Sequence, residues 1–456
     1  MQRALAFNRS PPLNVSLGFF LNIPLFLLLA SVALGWTAVS GSVYVRWNPF
    51  VLAAAHLFTL GVLASAMLGA LIQILPVAAH IRVLRTRIIS LAVQVCLTTG
   101  TLLLAGGFVT AKPLLHSLAA ATLSVAFFLF IGAVARGLIL DWENRSPGSA
   151  EILVAVRLAL VALAMTIGLG LYMAGLRGML WSTGLVQAGA WLQTLPNLHV
   201  AWGLAGWIGL LVIGVSFQLI PIFQATEIYP SRVTDMLAPT VFVSLVTLTL
   251  AGSWHGASTD VPFQAQKWAT TILALALLTY SVVTFWLLWT RKRPKPEPTT
   301  LFWLASMTAL FLASLVGFLR IWVPNLAPDA LDMLIGTLLL PGFAVSAVNG
   351  MLYKIIPFLL WHNAQRRSPI ALAFIPKVKQ YISESAARRQ FYAHFCALLL
   401  LCISCLETQF LLFAALAFGA SALLLGWNMW LAVSLYLHTC KRIEATLSAP
   451  QSQATS

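Results

Sequence analysis

GALIQILP at 69–76, GVSFQLIP at 214–221 and GMLYKIIP at 350–357 are three copies of one pattern: Gly, three residues, Gln or Lys, two aliphatics, Pro. The glycines at 69, 214 and 350 stand 145 and 136 residues apart, so a unit of similar length occurs three times. Each copy reads as a helix ending, because Gly lets a neighbouring helix approach closely and Pro ends or kinks the helix that carries it.

Around these marks the composition is that of a membrane protein. Of 456 residues 60% are hydrophobic and 9% charged, with a mean hydropathy of +0.90, far from the mixed make-up of soluble domains. A helix needs about 20 mainly apolar residues to cross a bilayer, and backbone groups in lipid must bond within their own segment. Twelve runs meet that length, at 16–38, 49–77, 89–110, 114–138, 152–174, 196–222, 233–253, 266–290, 300–322, 331–360, 390–407 and 410–436. The sequence therefore predicts an all-α polytopic membrane protein. It is expected to be a single membrane domain over 1–456, with twelve transmembrane helices in three pseudo-repeats of four, 1–147, 148–297 and 298–456. The shared motif closes the second helix of each unit, which makes helices 2, 6 and 10 counterparts.

Charge sets the orientation. With the amino terminus inside, the inner segments collect Arg3, Arg9, Arg82, Arg85, Arg87, Arg136, Arg145, Arg232, Arg291 to Lys295 and Arg366 to Arg389. The outer segments keep only Arg46, Lys112, Arg177, Lys267 and Arg320. Both termini are thus expected in the cytoplasm. This asymmetry and the attraction of anionic headgroups account for the net charge of +15, so the partner is the lipid bilayer and no nucleic acid is required. The opening MQRALAFNRSPP leads into a segment too long for a signal core, and the first helix is expected to remain in the protein. Five cysteines in or beside predicted helices make no disulfide framework. Residues 178–197, with Trp181 and Trp191, read as an interfacial segment, and RKRPKPEP at 291–298 as a polar inner linker.

Histidines mark the candidate chemistry. His56 opens helix 2 and His199 opens helix 6, each roughly 30 Å from its proline at 1.5 Å per residue, near the outer face. His116 begins helix 4 and His255 follows helix 7 at the same level. Neutral imidazole binds haem iron and copper well, so the four form a candidate metal layer. A single His near a helix end is also an ordinary hydrogen-bonded interfacial residue, and that reading stands beside the metal one for His116 and His255. His80, His362, His394 and His438 fall on the inner side, at headgroup depth.

Twelve helices in three units, with histidines opening helices 2 and 6, resemble the catalytic subunit of the haem-copper oxidases and nitric oxide reductases. Residues 56–76, HLFTLGVLASAMLGALIQILP, are similar to the helix whose His binds low-spin haem. The resemblance implies a haem ligand in His56, a copper ligand in His199 and a further copper ligand in His255. Helix 10 departs from it, because DMLIGTLLLPGF at 332–343 carries no His and the positions matching His56 and His199 fall near Gly336 and Thr337. Gly203 stands where the family often has Tyr or Glu. The divergent NnrS-like branch, haem- and copper-containing membrane proteins linked to nitric oxide stress, fits this incomplete set. The resemblance then implies a bacterial-type inner membrane, haem and/or copper near the periplasmic side, a small gas or metal ligand and a redox partner. It implies a role in respiration or the nitric oxide response without a complete oxygen-reducing centre.

No acid falls in the hydrocarbon zone, which argues against a carboxylate-driven proton channel, while Gln73, Gln218 and Lys354 are candidates to line a polar inner cavity. Cys402 and Cys405 share a helix face and read as small hydrophobes or soft metal donors, and Met333 is a candidate thioether ligand opposite His56. No phosphate loop, nucleophile triad or dinucleotide fingerprint appears, which leaves hydrolase and nucleotide-driven functions without residues. The competing class is a metal-free permease or assembly scaffold on the same helical frame. In that case the histidines are replaceable and the packing glycines are not.

Overall fold

Asn48 starts the most deeply buried helix of the chain. Its Oδ1 accepts from the backbone N–H groups of Phe50 (2.9 Å) and Val51 (3.4 Å), and Pro49 occupies the first turn, where a missing N–H costs nothing. The computed structural model describes residues 6–146, 149–180, 189–253, 261–323, 325–367 and 374–448. Twelve long helices succeed one another: α1 (Leu13–Val39), α2 (Pro49–Ala79), α3 (Thr86–Thr110), α4 (Pro113–Leu140), α5 (Ala150–Arg177), α6 (Thr194–Gln224), α7 (Ser231–Ser253), α8 (Val261–Trp289), α9 (Pro298–Trp322), α10 (Pro328–Arg367), α11 (Glu384–Ser404) and α12 (Thr408–Ala445). Among the described residues eleven of these, all but α11, are long and apolar enough to cross a membrane, and no strand occurs. The protein is an all-helical, multi-pass membrane protein. α11 opens with Glu384, Arg388 and Arg389 and is capped by the Ser383 hydroxyl, which accepts from Ala386 N at 3.2 Å.

Packing separates three inner helices from the rest. In the apolar windows of α2, α6 and α10, 83%, 72% and 61% of residues are buried, against 39–44% for the other eight spans. α2 lies against α1 and α3, α6 against α5 and α7, and α10 against α9, α11 and α12. The surrounding helices follow one another as α1, α3, α4, α5, α7, α8, α9, α11 and α12, which returns to α1. The inner helices meet each other through segments wound as π-helix, Leu57–Ala64, Trp202–Gly209 and Leu338–Val345. These segments begin at 57, 202 and 338, the same 145- and 136-residue steps that separate the three glycines. π-Helical turns concentrate at functional sites, and here they mark the level at which the three helices converge.

The proline motif is not uniformly a helix ending. α2 and α6 run three residues past Pro76 and Pro221, and His80 (φ 62°) and Ala225 (φ 54°) then stop them in the left-handed region. α10 instead continues ten residues past Pro357 to Arg367. The connection before α6 is helical from Gly189 onward and runs straight into it, while Trp181 lies outside the described residues. Gln73 bonds Ser16 and Ser10, and Lys354 pairs with Glu297, so these two side chains tie helix ends together. Glu297, which precedes α9, also has Arg293 at 3.2 Å and Lys379 at 3.7 Å. Half-burial works against its charged form, but Lys354, Lys379 and Arg293 outweigh that and hold the carboxyl below its ordinary range.

At this same end, each loop that follows an inner helix is clasped to the end of a later one. Arg82 pairs with Asp141 (2.7 Å) beyond α4, Glu227 with Lys292 (2.9 Å) beyond α8, and Arg367 with Glu444 (2.9 Å) on α12. The first clasp is the strongest. Buried Asp141 receives the Arg82 backbone N–H at 2.8 Å as well as its guanidinium, and these bonds draw its carboxyl below the ordinary value against the opposing effect of burial. A lowered carboxylate stabilises the fold fully above its unfolded value, about 3.9, and loses that contribution as pH falls through the folded value. Asp141→Asn is accordingly expected to cost roughly 1–3 kcal/mol at pH 7. Thermal melts at pH 7 and pH 3 should show the variant and wild type converging in acid; a gap that persists unchanged at pH 3 contradicts this account.

Candidate functional site

His56 and His199 converge. Their ring centres are 6.3 Å apart and their planes differ by 20°. The two residues are not in strict register, since His56 immediately precedes its π segment and His199 stands three residues before Trp202. By the same marks the α10 positions that match them are Thr337 and Ile335. α10 therefore adds no third imidazole, and Met333, Ile335, Gly336 and Thr337 form its share of the wall.

Both rings are held in one tautomer. His56 Nδ1 lies 2.8 Å from the Leu52 carbonyl oxygen and His199 Nδ1 lies 2.9 Å from that of Thr166 on α5. A carbonyl only accepts, so each Nδ1 carries the proton and each Nε2 keeps its lone pair. This is the arrangement in which a ligating histidine is oriented by a partner behind it. Gly170 makes the second contact possible: His199 Cε1 lies 2.9 Å from where a Cβ would stand.

The two rings line a cavity of about 630 Å³ enclosed by the inner helices and their neighbours. Its wall is mainly apolar, with Leu34, Phe127, Trp207, Leu273, Leu340 and Phe343 among the contributors. Polar side chains gather at the end remote from the prolines. There Arg46 donates to Asn197 Oδ1 on α6 at 2.7 Å and reaches Asp332 on α10 at 3.4 Å, while Arg320 Nε donates to Asp332 at 3.0 Å. Arg177 completes this rim, its guanidinium 5.4 Å from the Phe108 ring centre. Three of the five outer cations counted in the sequence thus belong to one mouth.

The remaining predicted residues divide. His116 lines the cavity, but the Phe108 ring stands between it and His56, at 5.3 and 5.0 Å from the respective ring centres. Its Nδ1 donates weakly to the Lys112 carbonyl (3.3 Å), and its buried Nε2 has no partner. His255 lies outside the described residues. Among the described residues no three His, Cys, Asp or Glu side chains gather into a metal-binding group. Cys405 contacts Thr337 Oγ1 at 3.6 Å beside the cavity wall. His394, read from sequence as an interfacial residue, is buried between the Phe302 and Phe418 rings with Nε2 2.8 Å from Ser346 Oγ. No protein-family model matches the chain, and a search of curated proteins finds no match.

Imidazole nitrogens on a mainly apolar cavity are donors of the kind that haem iron or copper takes. If a metal is held here, His56 and His199 are the residues that would offer it imidazole nitrogens. The volume lies in the range of cofactor pockets, about 300–1,000 Å³. The wall is as apolar as a tetrapyrrole face, and the cationic rim offers partners to carboxylate side arms.

Proposed function

We propose that this chain is a divergent haem-copper-oxidase-like membrane protein that holds one haem between His56 and His199, near the periplasmic face of a bacterial-type inner membrane. The observation that carries this reading is the pair of single-tautomer imidazoles, 6.3 Å apart, facing one large apolar cavity. A haem there supplies a redox-active iron. The chain's own residues fix the two imidazoles through Leu52 and Thr166, keep water from the apolar wall, and set Arg46 and Arg177 against negative charge at the mouth. The reading differs from the family resemblance in one respect, because a haem ligand and a copper ligand on separate centres become two ligands of one centre. Copper at His199 needs further donors, for which His255 and His116 are the candidates.

The same proposal takes α11 as a twelfth crossing and the chain as three units, 1–147, 148–297 and 298–456, with both termini cytoplasmic. What supports the units is the recurrence of the π segments and the glycines at matching positions. A role in respiration or in nitric oxide defence, with a small gas and a redox partner, rests on the resemblance alone.

Purified protein should show a Soret band with about one haem per chain by pyridine haemochrome assay, and little copper by elemental analysis. Gly170→Leu, which leaves both histidines in the chain but pushes the His199 ring from its place, should cut haem content several-fold while the folded yield holds. Colourless wild type, after expression with haem supplied, overturns the proposal.

A further inference from the structure

We propose that the surface where the end of α4 meets the start of α5 binds one anionic phospholipid, its phosphate held by Arg145 and Arg157 beside Trp142. Arg157 belongs to the membrane-facing stripe of α5, where Val154, Val161 and Met165 are 42%, 49% and 36% exposed. It stands seven residues into the helix, about 10 Å along the axis. A cation at that position bends its head back toward water. The guanidinium of Arg157 accordingly reaches the Trp142 indole just beyond α4, with Cζ 3.4 Å from the ring centre.

Arg145 approaches the same ring at 4.2 Å and donates to the Trp142 carbonyl at 2.8 Å. Two positive charges are therefore concentrated on one half-buried indole. Among the described residues no carboxylate lies within 4.0 Å of either guanidinium, and the nearby Asp141 is already engaged by Arg82. Stacking on an indole orients a guanidinium and leaves its N–H donors free for a phosphate. Around the pair, Ile139 (76% exposed), Leu140 (60%) and Val154 offer apolar surface to acyl chains. Charge, depth and apolar surroundings together specify an amphiphile with an anionic head, which in a bilayer is an acidic phospholipid.

The full-length protein in detergent is titrated with phosphatidylglycerol, with phosphatidylcholine of the same chains and with inorganic phosphate, and bound lipid is counted by native mass spectrometry. Wild type should retain phosphatidylglycerol roughly 30-fold more tightly than phosphatidylcholine, at about 1 kcal/mol for each of the two arginines. Arg145→Gln/Arg157→Gln should lose that preference, whereas Arg232→Gln, at the same end of the bundle, should keep it. If the double variant does not fold, each single variant carries the comparison with about half the effect. Equal retention of the two lipids by wild type, an undiminished preference in the variants, or displacement of the lipid by millimolar phosphate overturns the proposal.

Discussion

The double variant His56→Ala/His199→Ala is expected to purify without colour, with haem content falling by more than about 100-fold. Each ring is oriented by a different carbonyl, one on its own helix and one on α5, so removing either leaves the other poised. Single variants should therefore keep a weakened and shifted band, and only the pair should abolish it. The side chains removed border an existing cavity, which limits the packing lost; a folding penalty near the lower end of the 1–3 kcal/mol typical of point changes is expected. Size-exclusion profile and melting temperature separate loss of cofactor from loss of fold. A double variant with the wild-type Soret band moves the haem elsewhere. A colourless but stable wild type favours the permease or scaffold reading.

Gly214→Ala is expected to be the most damaging single methyl in the chain's motif. A Cβ at 214 would stand 2.3 Å from Ala155 Cβ, an atom with no rotamer to change, so α5 and α6 must separate. Overpacking of this kind costs about 3 kcal/mol or more, beyond the ~1 kcal/mol that Ala gains over Gly in a helix. At Gly69 the nearest atoms, Phe19 Cβ at 3.0 Å and Phe20 Cε1 at 3.1 Å, leave room for a small shift, and the two effects should nearly cancel. Melting temperatures in one detergent should therefore fall steeply for the first variant and hardly for the second. Equal stability of the two contradicts the close packing of α5 on α6.

Much of this architecture was legible because an apolar run of sufficient length has one outcome in lipid. Eleven runs became candidate spans, most with ends a few residues from those expected, while α10 and α12 run seven and nine residues further, to Arg367 and Ala445. α11 was displaced toward Glu384 because a serine cap and a polar first turn carry no hydropathy signal. The histidine pair could be suspected from sequence, since position relative to Gly69 and Gly214 survives folding. Its two-residue offset was legible too, since His56 stands 13 residues before Gly69 and His199 stands 15 before Gly214, but the convergence of the two rings was not. The mouth was invisible for a simpler reason. Arg46, Asn197 and Asp332 come from three separate segments, and nothing local to any of them announces the others. Arg46, Arg177 and Arg320 had appeared only as residual outer charges. Phe108, which isolates His116, is one phenylalanine among 26.

The three clasps carry a consequence for which helix ends can pair. The cation sits on the earlier strand of chain in the Arg82–Asp141 and Arg367–Glu444 pairs and on the later one in Glu227–Lys292. The two exposed pairs, Glu227–Lys292 and Arg367–Glu444, contribute only about 0–1 kcal/mol each, too little to hold a bundle together. Their order of sign does more as a password: exchange of partners between the first two clasps would set Arg82 against Lys292 and Glu227 against Asp141. Both mismatches repel, so the first two clasps do not exchange partners without loss.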